Sequence, residues 1–175
     1  MRKIATLLCL LIGYSCFAQH HFQITENAKI IWQKIYEASV SINEYQEIIL
    51  NSGKYKDIVI TDDKITCWIN ECPILESHQN YSNMSIFARD SNIKGFATIQ
   101  FKDGRYRVTI EQIQLIQKYD SSLSRKGEIT LIEGPAINRK GVFNKMVEGN
   151  TLMIIEPLFA KMFEYKKPAH LSDEW

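Results

Sequence analysis

Residues 97–110 read ATIQFKDGRYRVTI, and this stretch decides the fold. Asp103-Gly104 is a favoured pair for a tight two-residue turn, because both central positions of that turn need a positive φ. Pairing outward from the turn sets Phe101 against Tyr106, Ile99 against Val108 and Ala97 against Ile110. That face is apolar throughout. The opposite face holds Thr98, Gln100, Lys102, Arg105, Arg107 and Thr109. A strand pair of this kind belongs to an open antiparallel sheet, dry on one side and wet on the other. Beyond Ile110 the apolar parity moves to Ile113 and Leu115, which predicts a bulge near Glu111-Gln112.

Working back along the chain, residues 58–69 predict a second hairpin. With a turn at Asp62-Asp63, residues Ile58, Ile60, Ile65, Cys67 and Ile69 share one face, and Val59, Thr66 and Trp68 the other. Asp62-Asp63 reads as turn chemistry rather than as a cation site, because Asp side chains bond their own backbone in turns. Residues 26–52 predict one long amphipathic helix. Ala28, Ile31, Ile35, Ala38, Ile42, Tyr45 and Ile49 recur at steps of three and four, Trp32 widens the stripe, and Gly53 supplies the stop. Ser41-x-x-Glu44 has the form of a capping box and offers an alternative, a second helix starting there.

Residues 70–93 read as a polar loop with a short strand at Met84–Ala88, and 127–133 as another strand. The C-terminal part, 151–165, has Leu152, Ile155, Phe159 and Met162 at helical spacing. Pro157 leaves two readings. Either the helix carries it inside, at a cost of about 3 kcal/mol, or it opens a helix that follows a short strand at 151–155. The pattern is α+β: an antiparallel sheet of four to six strands packed against the long helix, plus a C-terminal helix.

The start of the chain carries a different kind of information. Arg2 and Lys3 precede an apolar run from Ile4 to Gly13, too short to span a bilayer. Cys16-Phe17-Ala18 places small residues where signal peptidase needs them, so residues 1–18 are expected to be an export signal cleaved after Ala18. The alternative is a lipoprotein signal with Cys16 as the lipidated residue. The expected location is periplasmic, cell-surface or secreted. No later segment is apolar enough for a transmembrane span.

Of 175 residues, removal of 18 leaves 157, expected to form a single domain over 19–175. Twenty-one basic residues lose Arg2 and Lys3, leaving 19 against 20 acidic, a net charge of −1. A near-neutral chain has no overall field to draw in nucleic acid, and none is expected as a partner. A monomer is expected, and no cofactor. Cys67 and Cys72 survive the cleavage, and in an oxidising compartment they are a candidate disulfide. Cleavage after Ala18 also exposes Gln19-His20-His21. A free amine, two backbone nitrogens and the imidazole of His21, with His20 beside it, form the nitrogen set that Cu(II) or Ni(II) prefers.

The helix, the IVITDDKI hairpin and the IQFKDGRYRVTIEQI hairpin, in that order behind an export signal, resemble a bacterial secreted family known as domain of unknown function 4468. The likeness covers residues 26–120. Lys102-Asp103-Gly104-Arg105-Tyr106-Arg107 is its strongest part, and Asp62-Asp63-Lys64-Ile65 matches more loosely. The resemblance implies a fold like the TATA-box-binding protein, with helix packed on a curved antiparallel sheet. It implies no activity and no catalytic residues, and a fold does not by itself carry DNA binding.

No nucleophile elbow, zinc-protease motif, phosphate loop or dinucleotide fingerprint occurs in the chain. Lys102, Arg105 and Arg107 line one strand face and are the candidate ligand-binding residues. Solvated strand faces of this kind are ordinary, which is the plain alternative. Two functions follow. The first is a non-catalytic binding or envelope-associated module, whose partner is an envelope protein or an acidic glycan. The second is a small secreted hydrolase whose site the sequence does not mark.

Overall fold

A computed structural model of the chain describes residues 20–74, 84–122 and 124–166. The segment 1–18, expected to be an export signal, lies outside them. Among the described residues, eight strands form one curved antiparallel sheet, two more than the upper expectation. They are β1 (Phe22–Ile24), β2 (Ile30–Tyr36), β3 (Tyr55–Ile60), β4 (Lys64–Ile69), β5 (Cys72–Pro73), β6 (Ser91–Lys102), β7 (Arg105–Gln117) and β8 (Ile129–Leu131). The order is β1-β2-β7-β6-β4-β3, with β5 paired to β6 and β8 to β7.

The β6–β7 hairpin has the register read from the sequence, with Phe101 opposite Tyr106, Ile99 opposite Val108 and Ala97 opposite Ile110. Asp103 and Gly104 take φ of 50° and 72°. Ala97, Ile99, Val108 and Ile110 are fully buried. The bulge is also where it was expected: pairing shifts between Lys94 and Phe96, opposite Gln112, whose φ is 52°. Gly95 faces that bulge, and a Cβ there would stand 2.8 Å from Ile110 Cγ2, closer than packed side chains allow. In the β3–β4 hairpin Ile60 pairs with Ile65, and Thr61 N–H donates to the Lys64 carbonyl across the Asp62-Asp63 turn. Ile65, Cys67 and Ile69 are buried as read, whereas Ile60 at the sheet edge stays exposed.

The long helix over 26–52 is not formed. Its first half is the β1–β2 turn and β2; only α1 (Ile42–Asn51) is helical. Ala28 has φ 54°, which no right-handed helix accepts. In β2 the buried residues are Ile30 and Trp32, while Ile31 and Ile35, members of the apparent helical stripe, turn to the other face. β-branched and aromatic residues suit a strand sandwiched between β1 and β7, and that packing overrides the helical spacing. The Ser41 capping box, the alternative reading, is what starts α1. Its hydroxyl accepts from Glu44 N–H, and the Glu44 carboxylate accepts from Ser41 N–H at 2.8 Å. Met84–Ala88 is likewise not a strand but leads into the one-turn helix α2 (Ile86–Arg89).

Two further short helices, α3 (Glu133–Ala136) and α4 (Lys145–Val147), precede a π-helical turn at Glu148–Leu152 and the C-terminal α5 (Met153–Phe163). Pro157 lies inside α5. It has no N–H for the carbonyl of Met153, but both residues are on the exposed side of the helix, where water can serve that oxygen. Ile155, Phe159 and Phe163 of α5 and Tyr45 and Ile49 of α1 join the inward residues of the sheet in one core.

Four tyrosines fix the end of α5. The last carbonyls of a helix have no partner within it. Here Tyr36 donates to Ala160 O, Tyr55 to Met162 O, and both Tyr45 and Tyr106 to Phe163 O, at 2.7–2.8 Å. Tyr36 and Tyr106 stack at 4.8 Å between centroids. Burial pushes all four phenols up, Tyr106 to about 12 and the others further.

Candidate functional site

Because the buried residues of α1 and α5 lie in the core on one side of the sheet, the other face is left half-buried or exposed. Strand register puts six cations on it: Lys56, Lys64, Lys94, Lys102, Arg105 and Arg107. Glu111 stands on the same face, opposite Phe96. Lys102 pairs with Arg105, and Gln100 with Arg107, whose guanidinium donates to Gln100 Oε1 at 2.6 Å. These residues, with Asp63, Phe101, Tyr106 and the 52 % exposed Ile35, line an open cavity of about 430 Å³. The structure therefore brings Lys102, Arg105 and Arg107 into one concavity and adds an apolar floor. In the middle of the face Trp68 meets Phe96 edge to face at 5.4 Å, and Lys94 Nζ lies 4.8 Å from the centre of the Trp68 ring.

The same face has a second concavity at its other end. A cavity of about 560 Å³ is lined by Thr25, Asn27 and Lys29 of the β1–β2 turn, Ile31 of β2, and Glu111, Gln112 and Gln114 at the β7 bulge, with Leu131 and Glu133 closing it. Glu133 Oε1 accepts from Ile30 N–H at 3.2 Å, while Oε2 is buried without a hydrogen-bond partner. Sequence reading found the bulge but not this cavity. Its parts lie some hundred residues apart in the chain and no local pattern joins them.

His20 and His21 are held against the C-terminal helices. His20 Nδ1 accepts from Phe22 N–H, so its Nε2 carries the hydrogen and donates to Glu148 Oε1 at 3.0 Å. His21 places both its amide nitrogen and Nδ1 on the Glu156 carboxylate, at 2.9 and 2.6 Å, and Trp32 Nε1 donates to the same carboxylate at 2.7 Å. The two His21 nitrogens that a square-planar metal set would take are thus already engaged by Glu156.

Cys67 and Cys72 are free thiols, not the expected disulfide. Cys67 lies opposite Ala97 and Cys72 opposite Ile93, four residues apart along β6. At about 3.3 Å per residue that is roughly 13 Å, well beyond the ~7 Å a disulfide spans. Burial pushes the Cys67 thiol up to about 12 and that of Cys72 up to about 11, which leaves both unreactive.

The chain is similar to two crystal structures. One is a TBP-like protein from Parabacteroides distasonis ATCC 8503, at 19% identity and a TM-score of 0.47, over 79% of this chain and 93% of that one. The other is a DUF4468 family protein from Bacteroides ovatus ATCC 8483, at 15% identity and a TM-score of 0.49, over 84% and 92%. The family and fold named for these two proteins are the ones the sequence resembles. No protein-family model matches the chain. No curated protein matches it either.

Proposed function

We propose that this protein is an exported, non-catalytic binding module whose uncovered sheet face takes an acidic glycan of the cell envelope. The observation that carries the reading is the gathering of Lys102, Arg105 and Arg107 around one concavity floored by Ile35. Guanidinium groups match the two oxygens of a carboxylate, and they do so without a deep pocket. The Trp68–Phe96 pair beside Lys94 offers an apolar surface next to further positive charge. The export signal at residues 1–18 delivers the domain to where such polymers are found.

The test uses the mature chain and polygalacturonate as probe, with binding followed by calorimetry at two salt concentrations. The double substitution R105A/R107A is expected to weaken binding by about tenfold or more, with the thermal midpoint unchanged, and the wild-type affinity is expected to fall as salt rises. Binding of an acidic protein but of no acidic glycan, or equal binding by the double variant, overturns the reading.

A further inference from the structure

We infer that the cavity at the β7 bulge is a second binding site, for the hydroxyl-rich ring of a neutral sugar. The inference stands apart from the acidic-glycan reading, because it uses none of the cationic residues at the other end of the face. A volume of about 560 Å³ is within the range of small-molecule sites. The walls come from the β1–β2 turn, β2, the β7 bulge, β8 and the start of α3, so the site exists only in the folded sheet.

The lining chemistry selects the ligand. Asn27, Gln112 and Gln114 each offer an amide that donates from one side and accepts on the other. Thr25 adds a hydroxyl, Glu111 and Glu133 add acceptors, and Lys29 adds donors. Sugar hydroxyls are themselves donor and acceptor at once, and such mixed walls satisfy both roles. A purely anionic ligand would meet two carboxylates against one lysine. A purely apolar ligand would cover only Ile31 and Leu131 and strand the amides.

Three structural features point to a site rather than to a surface dent. The carboxylate of Glu133 is oriented by Ile30 N–H, yet its second oxygen is a buried acceptor that the protein leaves unmatched. Buried polar atoms normally have partners, and a hydroxyl of a ligand in the cavity that Glu133 lines would supply one. Gln112 is held at φ 52° by the bulge, which aims a glutamine where glycine or asparagine would sit more easily. Ala28, between the cavity residues Asn27 and Lys29, also has a left-handed backbone, at φ 54°, with no side-chain hydrogen bond to offset it. Two non-glycine residues in this conformation flank one cavity.

The experiment is an NMR titration of the mature chain with neutral disaccharides built from glucose, galactose and N-acetylglucosamine. It reads the side-chain amide signals of Asn27, Gln112 and Gln114. The expected result is saturable shifts of those signals with at least one sugar. Q112G/Q114A removes two amides while suiting the left-handed backbone at 112, and is expected to weaken the interaction about tenfold. E133Q is expected to weaken it as well, and R105A/R107A to leave it unchanged. Absence of a saturable shift with every sugar overturns the inference, as does a shift that Q112G/Q114A leaves intact. Failure of polygalacturonate binding with these shifts present would remove only the acidic-glycan reading.

Discussion

The hairpin at 91–117 and the segment at 22–51 are both strand-rich, yet one announces itself in the sequence and the other does not. In the hairpin, turn chemistry and apolar alternation agree. Asp103-Gly104 sets the register, and each inward residue from Ala97 to Ile110 follows from it. In the N-terminal segment the two signals conflict. The apolar spacing from Ala28 to Ile49 is helical, whereas the β-branched and aromatic residues of β2 favour a strand. Their pairing is supplied from elsewhere: β2 aligns Trp32 with Ile110 and Tyr36 with Tyr106 on β7. Where local preference and the global fold coincide, the sequence is legible; where packing must override preference, it misleads.

The largest expected effect comes from raising the pH, since the tyrosine cap joins both regions to α5. The phenols of Tyr36, Tyr45, Tyr55 and Tyr106 titrate higher in the folded chain than the usual value near 10. The unfolded chain therefore loses these protons first. Stability from the cap is complete below about pH 10 and declines above it, by up to about 1.4 kcal/mol per pH unit for each phenol still protonated. Urea midpoints between pH 9 and pH 12 should drop steeply, with phenolate absorbance appearing together with unfolding. Gradual ionisation of these four within an intact fold would show that the cap does not carry this load.

Trp32→Ala should separate the two regions next. The side chain is fully buried and its Nε1 serves Glu156, which also holds His21. A loss of about 3–5 kcal/mol is expected from cavity formation, measured by urea unfolding. Hydrogen exchange should show β1 and β2 opening well before the β6–β7 hairpin. Uniform loss of protection across the sheet would contradict the picture of a hairpin that organises itself and a segment that is recruited.

The smallest effects test the two turns. A Cβ at Gly104 meets no atom, so Gly104→Ala reports only on φ 72° and should cost about 1 kcal/mol. Ala28→Gly relieves the same kind of strain at φ 54° and should stabilise by about 0.5 kcal/mol, after the entropy that glycine adds to the unfolded chain. Opposite signs in thermal melts are the expected outcome. If Ala28→Gly also weakens sugar binding at the neighbouring cavity, the strain there serves the site.

The sequence alone determined the elements whose cause is local. These are the Asp103-Gly104 hairpin and its register, the bulge at Glu111-Gln112, the capping box at Ser41, the Asp62-Asp63 turn and the strand within 127–133. It also named Lys102, Arg105 and Arg107, since a strand's alternation shows which residues share a face. Only the tertiary structure decided that 22–36 is two strands, that Cys67 and Cys72 lie too far apart along β6 to bond, and that four tyrosines close the end of α5. The second cavity belongs with these, because Asn27, Gln112 and Glu133 meet only once the sheet has formed. The physical reason is range. Turn geometry and side-chain alternation act over a few residues and leave a local mark. A strand taken up by β7, or a phenol reaching a helix end more than 50 residues away, depends on contacts that the local pattern does not encode.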